Sequence, residues 1–258
     1  MLAPDEPPPF RIVNPRGRSV VVLTCDHASH LVPRRLDRLG LHARALRRHI
    51  GWDIGAAEIS VRLARRFDAP AVLSGYSRLV IDCNRPLGSE TSIPECSDGT
   101  TIPGNVGLSP DQASLRAAEL FVPYHKAIAR TIRGVRQTET TPVFVAVHSF
   151  TPRLNGGPLR PWHFGVLWDE APRIAKPLIA ALRSNEGVVV GDNEPYSARD
   201  HFDFSQEFHA ASRGIPSALV EVREDLIRHE AGIDTYTELL GDALEFALER
   251  LQHGSRER

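Results

Sequence analysis

Apolar positions along this chain gather into short runs rich in β-branched residues, separated by stretches with helical spacing. The clearest run is 143–149 (VFVAVHS), which stops at His148 and breaks at Phe150-Thr151-Pro152. A near-continuous apolar run of this length predicts a buried parallel strand. Residues 19–24 (SVVVLT) end the same way, in Cys25-Asp26-His27, and residues 217–220 (SALV) run into Glu221. Further strands are expected at 69–74 (APAVLS), 78–82 (RLVID), 163–168 (HFGVLW) and 187–190 (GVVV).

Between these runs the apolar period changes to that of a helix. Residues 46–67 carry Ile54, Ala57, Val61 and Leu63-Ala64 at near-helical spacing, with Gly51 as a weak point and a regular start expected at Asp53, whose carboxylate can cap it. Pro33 introduces a short helix expected around 34–38. Ser109-Pro110 opens a long helix to about 136, because serine caps and proline suits the first helical position. Helices are also expected at 170–185, 203–212 and 235–251, the last with an apolar stripe through Leu239, Leu240, Ala243, Leu244 and Ala247. Residues 87–109 are almost all loop chemistry, and a loop longer than about 15 residues in a compact domain is usually functional. An ordered lid beside the site is expected there.

Strands interleaved with helices predict an α/β fold, a three-layer αβα architecture with a mixed, mostly parallel central sheet. A single domain is expected over 18–252, after an extended, proline-rich lead-in over 1–17 and before a tail over 253–258. No G-x-G-x-x-G or G-x-x-x-x-G-K-[ST] follows any strand, which argues against dinucleotide and P-loop chemistry.

Composition narrows the partners. With 31 basic and 32 acidic residues the net charge is -1, so bulk charge points to neither nucleic acid nor membrane. Three cysteines without a C-x-x-C pair predict neither a disulfide framework nor a cysteine zinc site. The opening MLAPDEPPPF lacks the basic and apolar regions of a signal peptide, and no apolar run reaches membrane-spanning length. A cytoplasmic location is therefore expected, with oligomeric state open.

Open α/β sheets place ligands beyond the carboxyl ends of their strands. Three strands here deliver His27, His148 and Glu221 at those ends, which reads as one site. Imidazole is a common zinc ligand, and a catalytic zinc takes three protein ligands and keeps one open position. Asp53, His30 and Asp26 are the candidates for the third ligand, with Asp53 favoured if its helix begins at the crevice rim. Glu221 is placed for general-base work, or else is neutralised by Arg223. Asn84-Arg85 and Arg78 form a donor cluster whose guanidiniums match a carboxylate two bonds at a time; an Asp82–Arg85 ion pair is the alternative. Arg223 is a further carboxylate binder, and Tyr196 a donor to a developing oxyanion. Trp162-His163 and His125 read as structural, and His209 is ambiguous.

Seven segments in this order resemble the N-formylglutamate amidohydrolase family: VLTCDHASHLVP (22–33), GWDIGA (51–56), SRLVIDCNR (77–85), SDGTTIPGN (97–105), VHS (147–149), GDNEPY (191–196) and VEVREDLI (220–227). The resemblance spans about residues 18–250. It implies hydrolysis of an N-formyl or N-acyl amino acid, the named reaction being N-formylglutamate plus water to glutamate and formate, a late step of histidine breakdown. It also implies a zinc-carboxypeptidase-like fold, in which a histidine ligand, an asparagine-arginine pair, a second histidine ligand and a glutamate base follow one another. His27, Asn84-Arg85, His148 and Glu221 stand in that order.

Two departures accompany the likeness. Carboxypeptidases carry a glutamate ligand three residues after the first histidine, where this chain has His30. The first motif reads Cys25-Asp26-His27-Ala28 instead of Pro-His-Ser-Gly, which implies a side branch with its own acyl or amino-acid preference. The expectation is a zinc amidohydrolase with one divalent ion on His27, His148 and Asp53, Glu221 as base, and a small acyl amino acid held by Arg85, Asn84, Arg78, Arg223 and Tyr196. The alternative is a non-catalytic binder of small acidic molecules on the same fold, which would retain no metal.

Overall fold

The computed structural model describes residues 1–136, 141–169, 172–198 and 203–256. In chain order its elements begin with β1 (Phe10–Val13), β2 (Val21–Cys25), α1 (Ala43–Leu46), α2 (Ala56–Arg66) and β3 (Ala71–Ser74). A small hairpin follows, β4 (Cys96–Ser97) and β5 (Thr100–Thr101), then α3 (Pro110–Arg116) and α4 (Val122–Arg136), joined by a π-helical turn. The second half holds β6 (Val143–Phe150), β7 (Phe164–Leu167), α5 (Ala175–Arg183), β8 (Val190–Asp192), α6 (Phe204–His209), β9 (Ser217–Arg223) and α7 (Glu230–Arg256).

Among the described residues the main sheet has seven strands in the order β1-β3-β2-β6-β9-β7-β8. Pairing is parallel except for β1 against β3 and β7 against β9. Side chains alternate across the pleat. Val21, Leu23, Val145, Val147 and Val220 pack with α2, α5 and α7 on one face, while Val22, Phe144, Ala146 and Leu219 pack with α4 on the other. The result is the expected three-layer α/β fold. Among the described residues no helix is long and apolar enough to cross a membrane.

Several local expectations are corrected. The segment 78–82 is no strand; Leu79, Val80 and Ile81 are buried in a third cluster with Leu39, Leu46, Ile50 and Phe121. Its carbonyls are satisfied by side chains instead of a neighbouring strand, Arg116 donating to Val80 O (2.9 Å) and Asn105 to Leu79 O (2.9 Å). Within the extended lead-in, β1 forms the sheet's edge and Tyr76 donates to Pro7 O (2.6 Å). The 34–38 helix is a 3₁₀ stretch, Arg34–Gly40, with left-handed residues inside it. The 87–109 loop is ordered by its hairpin and the turn Pro103–Asn105, yet none of its described residues lines the central cavity. The helix expected at 170–185 is seen as α5; residues 170–171 lie outside the described residues.

His125 and His209 are structural. They lie buried behind the sheet, His125 Nε2 donating to Cys83 O (2.9 Å) and Nδ1 facing His209 Nε2 (2.9 Å). Burial pushes the His125 imidazole down to about 4, against the opposing pull of Asp26 and Cys83 O. For His209, burial, His125 and Arg213 outweigh Asp26 and bring it down to about 3. The unfolded chain takes up protons below about 6.5 while the folded chain refuses them, so stability present above that pH is lost as it falls toward 4. These two histidines therefore contribute a drop in the urea midpoint between pH 7 and 5, against the opposite contribution of Glu221, which takes up its proton in the folded chain first. In His209→Gln, which keeps a donor to His125, that drop should shrink measurably.

Candidate active site

The site is built where β2, β6 and β9 end side by side. His148 and Glu221 are register partners on β6 and β9, and His27 lies just past β2. Asp53 comes from the loop before α2, where its N–H donates to His27 O (2.9 Å). It does not cap the helix. Gly55 holds the N-cap position at φ 81° with Ile227 O packed against it, and this left-handed turn sends the Asp53 side chain to the sheet edge instead.

The two imidazoles converge on one carboxylate. His27 Nδ1 is 3.1 Å and His148 Nδ1 2.8 Å from Asp53 Oδ2. Behind each ring stands another acid: His27 Nε2 donates to Asp82 Oδ1 (2.7 Å) and His148 Nε2 to Asp26 Oδ2 (3.0 Å). Asp26 is itself fixed by Tyr124 Oη (2.8 Å) and Ser205 Oγ (2.6 Å), and Asp82 by Arg78 (3.0 and 2.7 Å).

This donor set fits a divalent ion. Ligand atoms of His27, Asp53 and His148 all lie within 4.8 Å of one another. Two nitrogens and a carboxylate are donors that zinc takes, and a carboxylate on the far nitrogen is what orients metal-binding histidines. Carboxylate oxygens only accept, so each Nδ1 facing Asp53 needs a proton or a cation between. One divalent cation carries the charge of the two protons it would replace.

Charge in the site is tightly balanced. Burial opposes protonation of His148, yet its hydrogen bonds to Asp26 and Asp53 hold its pKa well above the ordinary value. His27 is also raised, Asp82 and Asp53 outweighing burial and Arg78. Burial would raise the acids, but His27 and His148 hold Asp53 far below the carboxylate range, and Arg78 and His27 do so for Asp82. Asp26 is lowered to about 2, His148 prevailing over burial. Glu221 behaves oppositely. Burial lifts it to about 7, and its Oε2 has no hydrogen-bond partner among the described residues.

These groups face a cavity of about 270 Å³, lined by His27, Asp53, Arg78, Asn84, Arg85, His148, Tyr196 and Glu221 together with His49, Thr151 and Asp203. Arg85 donates to Asn84 O (3.0 Å) and lies 4.0 Å from Asp203. Asn84 uses its amide as a brace, Nδ2 donating to Asp203 Oδ1 (3.0 Å) and Oδ1 accepting from Ser205 N (2.9 Å). The Tyr196 hydroxyl accepts from Arg160 Nη1 (3.0 Å).

Arg223 does not join them. Its guanidinium is spent on Asp225 (2.8 Å) and the carbonyls of Arg160, Pro161 and Trp162, because β9 turns its last side chain away from the cavity. His30 packs on Trp52 outside the cavity lining, and Asp26 backs a histidine. Asp82 pairs with Arg78 and His27, and Arg85 acts on its carboxylate through charge. Sequence reasoning missed His49 and Asp203. Long-range contacts bring the latter to the site, among them Asn84 Nδ2 to Asp203 Oδ1 across 119 positions and Ser205 Oγ to Asp26 Oδ1 across 179.

Comparison with curated proteins finds no match. Among solved structures, the chain is similar to the gene product Atu2144 of Agrobacterium tumefaciens, at 31% identity and a TM-score of 0.93, covering 97% of this chain and 99% of that one. It shares its fold with an N-formylglutamate amidohydrolase of Ralstonia eutropha JMP134, at 19% identity and a TM-score of 0.72, covering 95% and 99%. The family model for N-formylglutamate amidohydrolase matches residues 19–228, and the chain belongs to that family.

Proposed function

We propose that this protein is a metal-dependent amidohydrolase, with zinc as the expected ion, that cleaves the amide of an N-formyl or N-acyl amino acid. N-formylglutamate to glutamate and formate is the reference reaction. The observation that carries this reading is the meeting of His27, Asp53 and His148 at one point, with Glu221, whose Oε2 finds no hydrogen-bond partner among the described residues, beside them in the same cavity.

His27, Asp53 and His148 would hold the ion, which when bound supplies Lewis-acid polarisation of the carbonyl and a more acidic water. Glu221 takes a proton from the attacking water and returns it to the leaving nitrogen. The water oxygen bonds to the acyl carbon, the carbon–nitrogen bond breaks, and amine and carboxylic acid separate. A carboxylate poised near neutrality suits both transfers.

Arg78 lies against Asp53 (3.5 Å) and lines the same cavity, so its positive charge would be available to an oxyanion formed there. Arg85 offers its fork to the substrate's α-carboxylate, braced by Asn84. With its oxygen accepting from Arg160, Tyr196 keeps its own proton to donate inward. A non-catalytic binder gains nothing from burying a glutamate oxygen that finds no partner among the described residues, which is costly.

A panel of N-formyl and N-acetyl amino acids, assayed for amine release with and without a chelator, tests the reading. Turnover should vanish with chelation and return with zinc. Glu221→Gln should lose about 10²–10⁴ in kcat while keeping one equivalent of zinc by elemental analysis; full activity in Glu221→Gln or His148→Ala sinks the proposal. In Asp26→Asn, which loosens the His148 ring, zinc affinity should fall about 10- to 100-fold, read by competition with a chromophoric chelator.

A further inference from the structure

Arg160 stands behind the cavity wall, in the loop after β6. Its Nη1 donates to the Tyr196 hydroxyl (3.0 Å), and its guanidinium carbon lies 4.9 Å from the centre of the Tyr196 ring and 6.0 Å from that of Phe150. Phe150 and Tyr196 both line the cavity. The backbone before Tyr196 is seated by other contacts. A Cβ at Gly165 on β7 or Gly191 on β8 would run into Glu194 O, so these glycines let the 193–196 turn lie directly on the sheet, and Asn193 Oδ1 accepts from Trp168 N (3.0 Å) and Ala198 N (3.4 Å).

The ring itself is less confined. Tyr196 is 42% exposed, so packing alone does not fix where its hydroxyl points, whereas a hydrogen bond and a cation over the ring face do. Arg160 is fastened in turn: its N–H donates to Pro152 O (2.8 Å), and its carbonyl accepts from Arg223 Nη1 (3.2 Å), whose guanidinium Asp225 anchors through Nε (2.8 Å). A guanidinium only donates, so the Tyr196 oxygen accepts there and its own proton is directed elsewhere. Burial and the charge of Glu221 raise the phenol's pKa against Arg160 and Arg78, so it keeps that proton near neutrality.

We propose that Arg160 is a positioning residue, which aims the Tyr196 hydroxyl into the cavity so that the phenol donates to the acyl oxygen as its carbon becomes tetrahedral. This rests on the amidohydrolase reading for the reaction and adds a group that acts on it through Tyr196. It also gives Arg223 a place, as the clasp that holds the Arg160 loop.

The test is a double-mutant cycle on zinc-loaded protein with the best substrate among the N-formyl and N-acetyl amino acids, joined to NMR of protein labelled at the tyrosine Cζ. Tyr196→Phe should lower kcat about 10²-fold and Arg160→Gln about tenfold, the latter with KM moving about twofold or less. In the Tyr196→Phe background Arg160→Gln should cost about twofold or less. Arg160→Lys, which keeps a cation and a donor, should regain part of the loss. The Tyr196 signal, assigned by its absence from Tyr196→Phe protein, should titrate at higher pH in Arg160→Gln protein, because a cation that favours the phenolate is gone. An unchanged titration overturns the inference, as does an equal loss from Arg160→Gln with and without the Tyr196 hydroxyl. Where Arg160→Gln lowers the Tm, the same cycle run with Arg160→Lys decides in the same way. If the titration shifts but wild-type protein hydrolyses none of these compounds, the amidohydrolase reading falls and the hold on Tyr196 stands. If wild-type protein is active and the two losses simply multiply, that reading stands and the inference falls.

Discussion

One carboxylate oxygen, Asp53 Oδ2, faces two imidazole nitrogens at 3.1 and 2.8 Å inside a buried site, and the surrounding architecture exists to make that tolerable. Buried charges cost several kcal/mol each unless paired and hydrogen-bonded. Here Asp26 and Asp82 neutralise the far sides of the rings, Arg78 neutralises Asp82, and Tyr124 and Ser205 occupy the remaining oxygen of Asp26. Removing any member leaves another exposed to a low-dielectric interior. The cluster therefore behaves as a unit, which is how a site keeps its ligands aimed.

The scaffold supplies the rigidity this requires. β2, β6 and β9 are neighbours in the sheet, so the separations among His27, His148 and Glu221 are set by ladder hydrogen bonds. The loops add what strands cannot. The backbone bond from Asp53 N to His27 O ties the loop before α2 to the end of β2, and Ser77 Oγ donates to Gly51 O (2.7 Å) to bring the Arg78 and Asp82 segment alongside. Against this saturated half of the site stands Glu221, buried and unpartnered at one oxygen among the described residues.

Much of this was legible in the residues themselves. Apolar runs that end abruptly at His27, His148 and Glu221 mark strand ends, and parallel strands in one open sheet share an edge. Legibility failed where burial came from every direction at once. The segment 78–82 has the composition of a strand but takes hydrogen bonds from the side chains of Arg116 and Asn105, 36 and 26 positions away. Arg223 resembles a second carboxylate clamp beside Glu221, yet its side chain closes on the 160–162 carbonyls.

From the order of residues alone follow the α/β class, the strand ends that carry chemistry, the family resemblance and the choice of Asp53 as favoured third ligand. Periodicity and strand-end chemistry are local properties, written into short windows. Which acid backs which histidine, that the Asn84 amide holds Asp203, and that Asp203 stands beside Arg85 were decided only by the tertiary structure. Those are contacts between segments tens to more than a hundred positions apart, and no local pattern encodes the approach of one segment to another.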